Sequence, residues 1–538
     1  MLRSRKIALV GALCVPVIAG GFLLQSRAQR EGGLLLEQVM SLVGTRYVDT
    51  IPAQDVYEKA ARGLVRELND PYSELLTPKD LKQFNSRTGG RYGGTGMSIS
   101  QDPQTHLINV ETVYPNSPAE GAGIREGDKI VKVGPHSTQG WTITDVSDSL
   151  LGEVGTKVQA TFARPGVPTP IEATFTRAEI HIPAVPYTLS LGNKIGYIPL
   201  QQFNENASEN VVDALKRLQA QGARGIILDM RGDPGGILQE SLDIANLFLK
   251  QGQEILAVRT REGPPDVESA TNQPLAPSIP LVVMTDERTA SASEIVAGAL
   301  QDHDRALVVG QTSFGKGLVQ SVIRLDGGYA LKLTTGKWFT PSGRTIQRPR
   351  KFVNGQFVET PPDTNETNAT KKARPAYKSD AGRVVYGGGG ITPDVIVQDD
   401  TLTTAEQQFN KAIAPKGQDF RTVITDYSME LAKTVSPSYT VQPAWMNELY
   451  NRLQAKGVIT DRKLYDNAGR FVSRFLDQTV AHYAFGDSTA KRRDLAYDAP
   501  LRKALELLDK GGSQHDLFAL AGEPLAAQRV APTPPKKP

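Results

Sequence analysis

Between Lys194 and Ile346 short, almost wholly apolar runs alternate with stretches of helical spacing, and few folds satisfy that pattern. The runs are Lys194–Ile198, Gly225–Asp229, Pro280–Met284 and Ala306–Val309, with helical stretches starting at Ala207, Leu238 and Ser293. Buried strands alternating with helices imply a layered α/β domain, here expected over 179–348 and resuming at 386–400.

What flanks this core reads differently. Over 31–90 the pattern is helical: Val56, Ala60, Leu64 and Leu68 recur every fourth residue, and Asp70-Pro71 ends the run. Gly89-Gly90-Arg91-Tyr92-Gly93-Gly94-Thr95-Gly96 is a glycine-rich loop, followed by short alternating strands to about Ala178, so 91–178 is expected to be a β-rich domain. Residues 349–385 lack periodicity and read as a flexible insertion. Over 401–530 the chain turns helical, with Phe471, Phe475, Thr479 and Tyr483 sharing a face with Leu476 and Val480. Residues 531–538 form a Pro/Lys tail expected to be disordered.

Met1 to Lys6 is basic, and Ile7 to Leu24 is an uncharged run of 18 residues. Together they predict an export signal within 1–30, either cleaved near Ser26-Arg27-Ala28 or kept as an anchor, and hence a periplasmic or other extracytoplasmic protein. Lys and Arg number 61 against 58 acidic residues, but four basic and no acidic residues fall in the first 28, leaving 57 against 58. That balance disfavours a polyanion-binding surface and a nucleic-acid partner. The single cysteine, Cys14, excludes an internal disulfide and a cysteine-held zinc.

The chemistry is concentrated between Pro280 and Gln320. Ile279 to Met284 reads as a strand, and Thr289-Ala290-Ser291-Ala292-Ser293-Glu294-Ile295 turns it into a helix. Ser291 thus stands at a junction where unpaired N–H groups and the positive helix end stabilise negative charge. Ser291-x-x-Glu294 also has the spacing of a capping box, which by itself accounts for both residues.

A serine hydroxyl needs a base to take its proton. Of six histidines only His303 is near in sequence, and twelve helical residues put it ~18 Å away. Lys316 is the better base. It lies in Gln311-Thr312-Ser313-Phe314-Gly315-Lys316-Gly317, after a strand ending at Gly310, and successive strand-to-helix connections lie side by side in such folds. Acting as a base requires a lysine to be neutral near pH 7, which burial in an apolar cleft favours; otherwise it is a solvated loop lysine. Gly310-x-x-x-x-Gly315-Lys316 also matches most of a phosphate-binding loop. Gly317 replaces the Mg²⁺-holding hydroxyl, however, and Leu318 to Ile323 is β-rich, which disfavours a nucleotide site. A second glycine loop, Asp229-Met230-Arg231-Gly232-Asp233-Pro234-Gly235-Gly236-Ile237, permits the close backbone approach that an oxyanion donor needs, although Asp-Pro-Gly-Gly is also an ordinary turn. No metal-ligand cluster occurs, and neither a metal nor a cofactor is expected.

These motifs in this order resemble the carboxy-terminal processing peptidases, the Ser-Lys serine peptidases of family S41. The likeness runs over roughly 35–347 and resumes at Gly387–Val397. It rests on Asp70-Pro71-Tyr72-Ser73, Gly93–Gly96, Asp229–Gly236, Ser291–Ile295, Phe314-Gly315-Lys316-Gly317 with Gln320, and Gly389-Gly390-Ile391-x-Pro393-Asp394. The resemblance implies a multidomain chain of α+β and α/β type. An N-terminal helical segment precedes a PDZ domain over 91–178, a layered α/β protease core of the crotonase-like ββα type and a helical C-terminal region.

It further implies Ser291 as nucleophile (with Ser293 the alternative), Lys316 as general base and Gln320 as its orienting partner. Oxyanion donors would come from Ala292 and from Gly235 or Gly236, with Glu294, Asp302 and Ser313 in support. Substrate C-terminal tails would bind at Gly94-Thr95-Gly96-Met97 as an added strand, their carboxylate on loop amides. The sequence departs from the family in Arg231-Gly232-Asp233, where Asn-Asn often precedes Pro-Gly-Gly, in Ser313 for Thr and in Gln311 for Glu. A non-catalytic PDZ scaffold or chaperone is the alternative function. An adaptor protein, membrane anchoring through 7–24 and homo-oligomerisation are partner readings that the sequence leaves open.

Overall fold

The computed structural model describes residues 31–102, 105–164, 167–353, 356–360, 366–367, 369–400 and 402–522. The expected export segment and the Pro/Lys tail lie outside the described residues. Among the described residues no helix is long and apolar enough to cross a membrane.

The chain divides into two units. One comprises the described residues up to Leu81 with Gln320–Thr334 and Phe352–Phe357; the other comprises Lys82–Val319, Thr335–Lys351 and the described residues from Val358 onward.

In the first unit a helix over 31–46 precedes the helix Ala53–Arg66. Val56 and Val65 are buried there, while Leu64 and Leu68 of the expected stripe are 68% and 51% exposed. Steps of four residues turn a helix by more than one full circle, so the stripe drifts away from the buried side. The strand Glu74–Leu76 pairs antiparallel with the strand that begins at Ala330, Glu74 lying opposite Lys332. Asp70 Oδ2 accepts from the Ser73 and Thr334 hydroxyls, so the Asp-Pro-Tyr-Ser motif fastens this turn to that strand.

In the second unit the α/β core is a six-stranded sheet. Its order is Leu189–Leu191, Ile195–Pro199, Gly225–Asp229, Leu281–Thr285, Leu307–Gly310 and Val395–Ile396, and every pair after the first is parallel. Side chains alternate across it. Ile226, Leu228, Leu281, Val283 and Val308 pack with the helices Ala207–Ala220, Leu238–Asn246 and Ala292–Asp302. Ile227, Val282, Met284, Leu307 and Val309 pack on the opposite face with Leu501, Ala504, Leu507, Leu508, Leu517 and Phe518. The helices Ala499–Lys510 and Gln514–Leu520 therefore form the second covering layer of this sheet.

The rest of the C-terminal region has its own core. Helices from Thr404 to Asp494 gather Phe409, Phe420, Tyr465, Leu476 and Val480, with Phe409 edge-on to Phe420, Tyr465 and Phe471. One expected helical region is thus two structures with different tasks.

Parts of 349–385 are firmly packed, contrary to a flexible insertion. Lys371 is buried and donates to the Asp394 carbonyl at 2.6 Å, and buried Arg383 pairs with Asp304 and Asp394 at 2.7 and 2.6 Å. The buried groups are charged, which is why the segment shows no apolar periodicity.

The β-rich domain has strands in the order Met97–Gln101, Ile108–Val113, Lys129–Val133, Lys157–Ala163 and Ile171–Thr176. Ile108, Ile130, Val146, Phe162 and Phe175 form its core, Phe162 and Phe175 meeting edge-on. Met97–Gln101 is an edge strand beside the helix Ile143–Leu150, which is capped reciprocally by Thr142 and Asp145. Arg91–Gly94, expected in a loop, is instead a strand paired with Ala178–His181.

His482 of the helical region, held at 2.7 Å by Asp487, also pairs with Glu126 of the β-rich domain. A cavity of about 1320 Å³ lies between these two domains, lined among others by Tyr114, Arg164, Met429 and Tyr483. Ser291 and Lys316 do not line it.

Candidate active site

Ser291 follows the strand Leu281–Thr285 and opens the helix Ala292–Asp302, with φ 56° and ψ −114°. A non-glycine residue in that conformation costs ~1–3 kcal/mol and persists only where its surroundings impose it. They do so here. The Ser291 N–H donates to Glu294 Oε2 at 2.8 Å, the Ala290 N–H to the Asp233 carbonyl at 3.0 Å, and the Thr289 hydroxyl to the Met230 carbonyl at 2.8 Å. Ser291 is half-buried, whereas Ser293 is fully buried with its hydroxyl on the Asp233 carbonyl at 3.2 Å. Of the two serines, Ser291 is the one open to solvent.

Glu294 ties this turn to the lysine loop. Its Oε2 also accepts from the Lys316 N–H at 2.8 Å, and its Oε1 accepts from the Ser313 hydroxyl at 2.5 Å and the Gly315 N–H at 2.6 Å. Complete burial pushes this carboxyl up, against the pull of its four donors. The Phe314 N–H donates to the Thr289 carbonyl at 2.8 Å, a second tie between the same two loops. Ser313 also accepts from the Ile391 N–H at 2.6 Å, which explains why Gly389-Gly390-Ile391 travels with the motif. The Lys316 carbonyl accepts from the Trp338 indole at 3.2 Å.

The glycine loop closes the site from the other side. A Cβ on Gly235 would lie 2.5 Å from the Ala290 carbonyl, 2.8 Å from the Ala292 nitrogen and 3.0 Å from the Ser291 Cβ, so only glycine fits. The Gly235 N–H is engaged by Asp233 Oδ1 at 2.8 Å. That removes Gly235 from the expected oxyanion donors in this arrangement. The N–H groups of Gly236 and Ala292 have no acceptor among the described residues.

Arg231 anchors the start of this loop. It reaches Asp229 Oδ2 at 2.7 Å and Asp498 Oδ1 at 2.8 Å, and Lys491 adds a bond to Asp498 at 2.6 Å. Burial alone would raise the Asp498 carboxyl, but the Arg231 guanidinium and Lys491 hold it well below the usual range. Asp286 Oδ1 accepts from the Gly232 N–H at 2.9 Å. Asp233 and Thr289 stand inside the motifs without a role assigned to them, and Asp286 and Asp498 lie outside every motif. For Asp498, 267 residues from its arginine, the sequence offers no local signal.

The remaining expected residues lie elsewhere. Asp302 ends the helix that Ser291 opens, about 16 Å of helix away. It is buried, with Oδ1 on Arg344 at 2.6 Å, and so does not lie at the serine it was expected to support. His303, at 2.7 Å from Asp380, also stays at that far end. Gln320 belongs to the other unit, where its amide nitrogen is 3.5 Å from the Thr334 hydroxyl. In the β-rich domain Thr95 is buried, and the N–H groups of Thr95 and Gly96 have no acceptor among the described residues. Gly96, at φ 85°, lets its loop lie against Ser117, where a Cβ would approach within 2.1 Å. Met97 opens the edge strand. Among the described residues no group of three or more His, Cys, Asp or Glu is placed to hold a metal ion.

Residues 194–354 match the sequence model of peptidase family S41, and residues 110–164 match that of a PDZ domain. The carboxyl-terminal-processing protease of Picosynechococcus sp. is 34% identical over 369 residues, which cover 65% of this chain and 89% of that protein. The corresponding protease of Synechocystis sp. is 37% identical over 292 residues, covering 54% and 68%. The carboxy-terminal processing protease CtpA of Bacillus subtilis is 32% identical over 328 residues, covering 61% and 69%. Among solved structures, the photosystem II D1 C-terminal processing protease is 31% identical, covers 60% of this chain and 84% of its own, and superposes with a TM-score of 0.36. The chain belongs to the carboxyl-terminal-processing proteases of family S41 and is a serine-type peptidase with a PDZ domain.

Proposed function

We propose that this peptidase works with a Ser-Lys dyad, Ser291 as nucleophile and Lys316 as general base. The observation that carries the assignment is the pair of backbone bonds from both residues to one oxygen of Glu294. Lys316 in its neutral form takes the Ser291 proton as the hydroxyl attacks the scissile carbonyl. The tetrahedral oxyanion is held by the N–H groups of Ala292 and Gly236, at the positive end of the helix Ala292–Asp302. The proton passes to the leaving amine, an acyl-enzyme forms on Ser291, and water releases it by the same route. The core is of the crotonase-like ββα type.

Substrates are proteins presented by their C-terminal tails. The edge strand Met97–Gln101 takes the tail as an additional strand, and the amides of Thr95 and Gly96 receive its carboxylate. The basic and apolar segment at the amino terminus exports the chain across a membrane, so the enzyme acts outside the cytoplasm.

Three measurements test this reading. Ser291→Ala and Lys316→Ala each abolish peptide hydrolysis and labelling by a fluorophosphonate, while a chelator leaves the wild type unaffected. A peptide with a free C-terminus is cleaved faster than its amidated twin. Export is checked by cell fractionation and by the amino-terminal sequence of the purified protein. Retained hydrolysis in Lys316→Ala removes the dyad from consideration.

A further inference from the structure

Asp233 is fully buried, yet only one of its carboxyl oxygens is used. Oδ1 accepts from the Gly235 N–H at 2.8 Å, and Oδ2 is buried without a partner. No cation faces it. Arg231, on the same loop, is committed to Asp229 and Asp498. The turn after Leu281–Thr285 brings Asp286, whose own charge is of the same sign and is paired with Arg288 at 3.0 Å. The helix Ala292–Asp302 brings the neutral Ser293 hydroxyl, on the Asp233 carbonyl, and Glu294, whose oxygens are taken by Ser291, Ser313, Gly315 and Lys316. The segment at Phe203 brings backbone bonds to the Gly235 carbonyl and the Ile237 N–H, and its side chain is uncharged.

The position of this carboxyl gives it leverage. Its main-chain carbonyl accepts from Ala290 and Ser293, on either side of Ser291. Its side chain holds Gly235, where an added Cβ would collide with the Ser291 Cβ and the Ala292 nitrogen. Resting on the dyad and oxyanion assignments above, we propose that Asp233 is a positioning residue of the oxyanion site and works as the neutral carboxylic acid. In that form it presents an acceptor to Gly235 as an asparagine amide would, and fixes the loop so that the Gly236 and Ala292 amides face the reacting carbonyl. Loss of its proton places an unpaired negative charge beside the oxyanion that forms during the reaction, and like charges oppose each other strongly in so dry a place. Burial pushes this carboxyl well above the ordinary range against the hydrogen bonds of Gly235 and Ser293, with the nearby Asp286 adding least, in keeping with the neutral form. The sign is definite: the acid is neutral below its raised pKa, so activity falls as pH rises through it.

The full-length enzyme tests this with a fluorogenic peptide over roughly pH 5 to 10. The wild type shows a falling alkaline limb in kcat. Asp233→Asn keeps kcat within about threefold at neutral pH and lacks that limb, while Asp233→Ala loses about ten- to hundredfold at every pH. The infrared difference spectrum between wild type and Asp233→Asn contains the carbonyl stretch of a protonated acid. An Asp233→Asn profile that falls in parallel with the wild type overturns the proposal, as does a folded Asp233→Asn as weak as Asp233→Ala. A wild-type kcat that holds level until the enzyme unfolds also overturns it. If Asp233→Ala does not fold, the wild type and the asparagine variant still decide. Fluorophosphonate labelling of Ser291→Ala tests the nucleophile separately: labelling there sinks the dyad and leaves the Asp233 profile to stand or fall by itself.

Discussion

The backbone N–H groups of Ser291 and Lys316 converge on a single atom, each donating to Glu294 Oε2 at 2.8 Å. Removing that acceptor unties two loops at once. Glu294→Ala leaves four buried donors without an acceptor, at ~1–3 kcal/mol each before relaxation, so a net loss of about 3–5 kcal/mol is expected. Glu294→Gln keeps the volume but turns an NH₂ group toward N–H or O–H donors whichever way it is flipped. Urea unfolding and kcat/KM measured together check both: each variant falls at least a hundredfold in activity, and the alanine variant is the less stable.

Ser291 is held in a conformation suited to glycine, so the nucleophile role proposed for it is opposed to its backbone comfort. Ser291→Gly and Ser291→Ala are both inactive, but the glycine variant gains about 1 kcal/mol over the alanine variant by relieving the positive φ, after the entropy cost of glycine in the unfolded chain. Thermal unfolding of the two inactive proteins measures the difference. Equal midpoints would mean that the turn carries no strain.

The Arg231–Asp498 pair links the glycine loop to the helix Ala499–Lys510. Breaking one side of a buried ion pair strands the other charge. Asp498→Asn is therefore expected to cost roughly 2–4 kcal/mol, and to lower kcat for a short peptide more than it raises KM, because Asp498 acts through the loop and not on the substrate. A double-mutant cycle with Arg231→Met gives a coupling energy above about 1 kcal/mol if the two act as one unit.

His482 sits between Asp487 and Glu126, which raise its pKa from 6.5 to about 10. A histidine raised in the folded state contributes stability that is complete below its unfolded pKa and fades as pH climbs to the folded value. The contribution is thus full below pH 6.5 and gone near pH 10. His482→Gln removes that slope. Unfolding midpoints measured across this window fall more steeply in the wild type than in the variant, and identical slopes would contradict the pairing.

The parallel strands, the strand-to-helix turn at Ser291 and the lysine loop are legible because each is written in local order: apolar runs, then glycine, then helical spacing. Ser291-x-x-Glu294 is legible as spacing, but spacing does not tell that Glu294 reaches forward to Gly315 and Lys316 as well as back to Ser291. Gly235 reads as an oxyanion donor because glycines at a strand end commonly serve that way, and only the position of Asp233 shows its amide engaged. Packing by charged groups leaves no periodic trace, so the burial of Lys371 and Arg383 is invisible in sequence. The same holds for Asp498, whose partner is settled by topology.

The second covering layer of the sheet is made by Leu501, Leu508 and Phe518, more than a hundred residues beyond the last strand. A chain growing from its amino terminus holds serine, lysine and both glycine loops long before these helices arrive, with one apolar side of its sheet still bare. Until they dock, Arg231 at the start of the glycine loop also lacks Asp498. One apolar side of the sheet and the glycine loop thus wait on the same late segment, 498–518, for their cover and their anchor.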